Sequence, residues 1–319
     1  METVTRLGIT LGDPAGIGPE VVAAALAAMP DAWRDRVVIY GDRGPLERGA
    51  RAMGVALPPK LTVLGDGVGE DVVFGTPTET GGAAQVGYLE HAVAAARAGE
   101  LAAIVTAPIS KTWARRGGFE FLGHTEMLAA RLGATDVAML FAGPRLKVAL
   151  ATVHCPLVEV VEDLSIARVR AVIELLVASL VDDFGIAKPR VGVIGLNPHA
   201  GEDGLLGDED ADIIAPALEQ PCAPATLGGP LVPDAAFRYA LEGRYDALVA
   251  MYHDQGLIPV KLIDFEEAVN VTLGLPIVRT SPDHGTAYDI AGTGTARSVS
   301  MRRSLALAIE MIGRRAGRR

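Results

Sequence analysis

Short runs of valine, isoleucine and leucine alternate along this chain with longer alanine-rich stretches, and that alternation limits its fold more than any other feature. The runs read RLGITL, RVVIYG, AAIVTA, VAMLFA, LKVALATV, RVGVIGL and ALVAMY. Continuous apolar runs of this length suit strands covered on both faces, and helical stretches between them supply the crossovers that parallel strands need. The helical stretches include GPEVVAAALAAM, with Pro19 placed for a first turn, VGYLEHAVAAARAG, HTEMLAARLG and SIARVRAVIELLVASLV. The expected class is therefore α/β, a mostly parallel sheet with helices on both faces. At 319 residues the chain exceeds one ordinary domain of roughly 100–200 residues, so two domains or one large α/β unit is expected. The C-terminal MRRSLALAIEMIGRRAGRR reads as a helix ending in a solvated basic tail.

The chemistry lies where the runs stop. GITL ends in Gly12-Asp13-Pro14, IVTAP in Ser110-Lys111, ALATV in His154, GVIGL in Asn197-Pro198-His199 and LVAMY in His253-Asp254-Gln255. Open parallel sheets bind ligands outside the carboxyl ends of their strands. One histidine at such an end is ordinary, but His154, His199 and His253 are three of the six in the chain, which favours a shared site. Neutral imidazoles suit zinc and other first-row divalent ions, and three of them leave coordination positions for substrate oxygens. Asp254 is placed either to orient a histidine and handle a proton or to cap the turn that follows.

A second constellation is cationic. Ser110, Lys111, His124 and Thr125 fall in PISKTWARRGGFEFLGHTEML, and Lys261, Asn270 and Arg279 fall in PVKLIDFEEAVNVTLGLPIVRTS. The net charge of -10 disfavours a nucleic-acid binder, which needs a basic surface, so any anion must be held by a local cluster of this kind. Spacing alone serves surface charge and an N-cap threonine equally well. Two glycine-rich stretches, GDPAGIGPE and DHGTAYDIAGTGTA, lack the GxGxxG fingerprint, although glycine permits close backbone approach to a ligand. NPHAGEDGLLGDED does not have calcium-loop spacing and reads as a mobile acidic loop. Cys155 and Cys222 are far apart, without a CxxC partner, so neither a disulfide framework nor a cysteine zinc site is supported, and Cys155 reads as a packing residue. No leader and no apolar run of about 18 residues is present, so a soluble cytoplasmic protein without membrane contact is expected.

The blocks ITLGDPAGIGPEV, VTAPISK, GHTEMLA, LNPHAGEDG, GPLVPDAAF, YHDQGLIPVK and VNVTLGLPIVRTSPDHGTAYDIAGTGTA together resemble the 4-hydroxythreonine-4-phosphate dehydrogenase family of pyridoxal phosphate biosynthesis. The glycine stretches are also similar to those of isocitrate and isopropylmalate dehydrogenases, which bind NAD without a Rossmann fingerprint. That likeness implies two α/β/α domains with a cleft between them, residues 1–125 with 275–319 forming the first and 126–274 the second.

By matching motif, the resemblance makes His154, His199 and His253 divalent-metal ligands, with zinc foremost and cobalt, nickel or magnesium as alternatives. His124, Thr125, Lys261, Asn270 and Arg279 become substrate-binding residues, with Ser110 and Lys111 sharing the phosphate. His284, Gly285, Thr286, Ala287 and Gly292 lie in the loop expected to hold NAD or NADP. The family is homodimeric with metal ligands drawn from both subunits, so the three histidines need not converge in one chain. Asp234 matches the pattern without an assigned role. The reaction implied is oxidation of the C3 hydroxyl of 4-phosphohydroxy-L-threonine with decarboxylation to 3-amino-2-oxopropyl phosphate. Lys261 is the first candidate for the base and Asp254 the second. The alternatives are a paralogue acting on 4-phospho-D-threonate or 4-phospho-D-erythronate and, more remotely, a non-redox metal-dependent phosphate-ester enzyme.

Overall fold

The computed structural model describes residues 6–318, which fall into two compact units. The first runs to Thr135 and resumes over Leu275–Ala316, and the second is Asp136–Gly274 with the chain from Gly317 onward. Eleven strands are found among the described residues: β1 Leu7–Thr10, β2 Val37–Tyr40, β3 Thr62–Leu64, β4 Ala103–Thr106, β5 Ala138–Ala142, β6 Lys147–Leu150, β7 Arg190–Ile194, β8 Thr226–Leu231, β9 Ala247–Ala250, β10 Val269–Leu273 and β11 Val278–Pro282.

In the first unit the strand order is β3-β2-β1-β4-β11, every pairing parallel. Strands β1, β2, β4 and β11 are buried along their whole length, as apolar runs covered on both faces must be. The helix Gly18–Ala27 carries Pro19 in its first turn, as expected, and its small residues let it bury nearly every position. The helix Glu79–Arg97 starts at Thr78, whose hydroxyl accepts from Gly81 N at 3.0 Å. The helix that opens with His124 ends at Leu132 and lies wholly in this unit. Val299–Ala316 is the expected C-terminal helix.

The second unit orders its strands β10-β5-β6-β9-β7-β8. Strand β5 is antiparallel to both β10 and β6, and β6, β9, β7 and β8 run parallel to one another. Phe141, Val148, Leu150, Leu248 and Val260 form the centre of its core. The fold is thus mixed α/β with mostly parallel strands, as expected.

Four strands lie outside the seven apolar runs. β3 has three residues, β8 contains Gly228, Gly229 and Pro230, β10 contains Asn270, and β11 contains Arg279 and Pro282. β3 and β8 are edge strands, where a proline costs no central ladder bond. The polar residues of β10 and β11 hide strands that neighbouring chain specifies. The acidic segment also departs from its expected form. Pro198–Gly204 is a tight turn whose interior residues have positive φ, and Asp210–Ile214 a π-helical turn. Asp210 is buried and accepts from Leu196 N at 2.8 Å and Asn197 N at 3.0 Å, so its carboxylate organises the turn instead of standing in solvent.

Candidate active site

The three histidines follow three strands that are adjacent in the second unit. β6 leads to His154, β9 to His253 and β7 to His199, and β9 lies between the other two with both pairings parallel. Parallel register sends all three exits to one edge of the sheet. The rings of His154 and His253 lie 6.0 Å apart between centroids. His199 begins a run in which Ala200, Gly201, Glu202 and Asp203 also have positive φ, a conformation that costs non-glycine residues about 1–3 kcal/mol each. Strain of this kind persists only where the surroundings fix it, and Asp210 anchors the backbone at Leu196 and Asn197 just before the run.

The exits are laced together by hydrogen bonds. Thr152 Oγ1 donates to Met251 O at 2.8 Å, joining the His154 and His253 loops. Gln255 Nε2 donates to Gly195 O at 2.7 Å while its Oε1 accepts from Met251 N at 2.7 Å, joining the His253 and His199 loops. His253 opens the helix His253–Asp264, and its Nδ1 lies 2.7 Å from Asp254 Oδ1. That pairing directs Nε2 away from the carboxylate, as in carboxylate-oriented metal ligands. The donor set, imidazoles on neighbouring strand ends with one already oriented, fits a first-row divalent ion. Among the described residues no three His, Cys, Asp or Glu side chains of the single chain close on one point. Lys261 lies on the same helix as His253, its Nζ 5.2 Å from the centroid of the Phe265 ring. Asn270 sits on β10, with its Oδ1 buried and lacking a hydrogen-bond partner. Asp234 opens the helix Pro233–Leu241.

The first unit gathers the cationic group. Ser110 caps the helix Lys111–Arg116, its hydroxyl accepting from Trp113 N at 3.4 Å, and His124 and Thr125 open the helix His124–Leu132. Arg279 is buried on β11 and donates from Nη2 to Thr106 Oγ1 on β4 at 2.8 Å. Burial pushes its pKa down to about 10, with Glu126 acting in the opposite direction. His124 is held well below the ordinary imidazole value of 6.5, first by burial, then by the positive charges of Arg279 and Lys111. Its Nε2 is sealed from solvent and has no partner. Leaving such an atom unsatisfied costs about 1–3 kcal/mol, and burying the Arg279 charge costs more, so an anion placed here would relieve both.

The two glycine-rich stretches meet in this unit. Glu20 is fully buried and accepts from Gly292 N at 2.8 Å and Gly294 N at 2.9 Å. Ile17 N donates to Thr286 O at 2.9 Å. Gly12, at φ +70°, packs so tightly that a Cβ would strike the Pro108 carbonyl oxygen. Over His284, Gly285, Thr286, Ala287 and Gly292 the chain is irregular, Ala287 and Gly292 have positive φ, and Gly285 has open space where a side chain would stand. A pinned, exposed backbone of this kind fits a dinucleotide. Asp13 is buried below it and accepts from Ala15 N at 2.9 Å, Tyr288 Oη at 2.6 Å and Gln85 Nε2 at 3.2 Å. Gln85 Oε1 accepts from Ser110 N at 2.8 Å.

Sequence reasoning did not find Glu20, Gln85, Thr106 or Tyr288, and it named Gln255 at a strand end without its bridging role. Glu20 and Tyr288 stood inside the glycine blocks, where polar residues among glycines were the available signal. Gln85 and Thr106, on a helix and a strand, gave none.

Comparison with known proteins follows the same lines. The family described as "Pyridoxal phosphate biosynthetic protein PdxA" matches residues 34–308. The chain is 46% identical to the 4-hydroxythreonine-4-phosphate dehydrogenase of Desulfosudis oleivorans over 322 aligned positions, covering 95% of each protein. The crystal structure of the 4-hydroxythreonine-4-phosphate dehydrogenase from Klebsiella pneumoniae superposes with a TM-score of 0.85 at 37% identity, covering 97% of this chain and 98% of that one. A terephthalate 1,2-cis-dihydrodiol dehydrogenase from Burkholderia xenovorans superposes with a TM-score of 0.68 at 32% identity, covering 96% and 98%.

Proposed function

The chain belongs to the pyridoxal phosphate biosynthetic PdxA family, and from that membership we propose that it is a metal-dependent 4-hydroxythreonine-4-phosphate dehydrogenase using NAD or NADP. Its reaction is oxidation of the C3 hydroxyl of 4-phosphohydroxy-L-threonine with loss of the C1 carboxylate, giving 3-amino-2-oxopropyl phosphate. The observation that carries the substrate class is the buried Arg279 beside neutral His124 and Lys111 in an otherwise acidic protein.

In this reading Arg279, Lys111, His124, Thr125 and the Ser110 segment bind the phosphate, and Asn270 positions the substrate. His124, kept neutral, gives one N–H donor and adds no charge for Arg279 to repel. His154, His199 and His253 would hold the divalent ion, zinc foremost, and His284, Gly285, Thr286, Ala287 and Gly292 would hold the dinucleotide. A bound dinucleotide would supply a hydride acceptor, and a bound divalent ion would supply Lewis acidity. Lys261 takes the hydroxyl proton and returns one to carbon after decarboxylation. Asp254 holds the His253 ring in place through Nδ1.

The enzyme works as a cytoplasmic homodimer with the metal site shared between subunits. Large apolar side chains that the single chain leaves exposed, Val158 at 83%, Leu205 at 82% and Leu262 at 81%, are consistent with a partner. No described helix is long and apolar enough to cross a membrane.

The reading is tested by parallel assays of NADH formation on 4-phosphohydroxy-L-threonine and on 4-phospho-D-threonate. A higher kcat/KM on the amino substrate supports it, and preference for the threonate transfers the chain to the paralogous activity.

A further inference from the structure

Asp13 is a buried carboxylate to which the reaction above assigns no role, and two segments distant in sequence meet on it together with its own loop. Ala15 N comes from its own glycine-rich loop, Tyr288 Oη from the loop proposed to hold the dinucleotide, and Gln85 Nε2 from the helix Glu79–Arg97. Gln85 continues the chain of contacts, since its Oε1 accepts from Ser110 N, where the anion-binding segment begins. Asp13 N also donates to Pro108 O at 3.0 Å, two residues before Ser110. The carboxylate is thus a junction of two arms: Tyr288 reaches it from the dinucleotide segment and also meets the Ser110 side chain, and Gln85 reaches it while holding Ser110 N.

Resting on the dehydrogenase reading, we propose that Asp13 is a positioning residue that couples the two ligands, so that phosphorylated substrate at the Ser110 segment and dinucleotide at the Thr286–Tyr288 segment each tighten the other's binding. Each arm satisfies part of one carboxylate, so a ligand that orders one arm fixes Asp13 and lowers the ordering cost of the other arm. Burial raises the pKa of Asp13, while its three donors hold it down, and burial and Asp13 push the Tyr288 phenol up to about 12. The phenol therefore stays a donor throughout the working range.

The test is calorimetric titration of NAD into the metal-loaded protein with and without saturating 4-phosphohydroxy-L-threonine, at a temperature low enough to suppress turnover, with inorganic phosphate as a non-reacting stand-in. The substrate or phosphate is expected to lower the Kd for NAD about fivefold or more in the wild type. Tyr288→Phe should weaken NAD more than phosphate, Gln85→Leu should weaken phosphate more than NAD, and each should bring the coupling factor close to one. Melting temperatures and the metal content of both variants establish that they are folded and loaded, and Asp13→Asn, with its acceptor capacity halved, serves as a third variant. Coupling that persists undiminished in folded Tyr288→Phe and Gln85→Leu overturns the inference, as does independent binding of the two ligands to the wild type. A wild-type protein that binds neither NAD nor NADP overturns the dehydrogenase reading and this inference together.

Discussion

The guanidinium of Arg279 is fixed by a neighbour in the sheet: Nη2 donates to the Thr106 hydroxyl across 2.8 Å, from β11 to the parallel strand β4. A buried arginine is thereby held at the end of the sheet before any ligand arrives. Arg279→Lys keeps a charge but loses the planar fork, and is expected to raise the KM for 4-phosphohydroxy-L-threonine by about tenfold to a hundredfold, the worth of a charged hydrogen bond. Thr106→Val should raise it by a smaller factor with kcat little changed. Steady-state kinetics on the three proteins separates these effects.

His124 gives a pH dependence of stability. Burial and the charges of Arg279 and Lys111 keep it neutral when folded, well below the 6.5 of an exposed imidazole. The unfolded chain binds a proton below about pH 6.5 that the folded chain refuses, so stability is lost as pH falls through that value and is fully present above it. The melting temperature should drop between about pH 7.5 and about pH 5.5, and His124→Gln should flatten that part of the drop. An unchanged slope in the variant would contradict a neutral His124.

Asp254 orients His253 through Nδ1. Asp254→Asn should therefore weaken zinc binding about tenfold to a hundredfold, the usual cost of losing such a partner, while the melting temperature of the metal-free protein stays near that of the wild type. Competition with a chromophoric chelator measures this directly.

Lys261 is assigned the proton transfer. Lys261→Met should lower kcat by about two to four orders of magnitude with the substrate Kd little changed. Near-normal turnover with lost affinity would make Lys261 a binding residue.

Glu20 pins two N–H groups of the glycine loop from a fully buried position. Glu20→Ala leaves both donors unsatisfied, so a loss of about 2 kcal/mol or more in stability is expected by denaturant unfolding, with faster amide exchange at Gly292 and Gly294.

Much of the fold, and where the residues of the candidate site fall in it, is legible in the order of residues. Apolar runs such as VVIY and ALVA became fully buried strands because strand burial depends on local composition. The polar endings GDP, SK, NPH and HDQ fell where strands end, because parallel sheets put their loops there. The sequence could not place β10 and β11, where Asn270 and Arg279 interrupt the apolar pattern. Nor could it show that Asp13 and Tyr288 touch, a contact between residues near opposite ends of the chain that only the assembled sheet creates. The acidic stretch after Asn197 misled for a related reason: Asp210 gains its burial from the backbone of Leu196 and Asn197, and charge counting treats every carboxylate as solvated.

The central claim is a dehydrogenation coupled to decarboxylation at a metal held by the three histidines. It is tested most directly by following NADH formation and carbon dioxide release together, on 4-phosphohydroxy-L-threonine, with metal-loaded and chelator-stripped protein. Equimolar NADH and carbon dioxide, abolished by stripping and restored by zinc or cobalt, is the expected result. Product formation without NADH, or undiminished turnover after stripping, would contradict it.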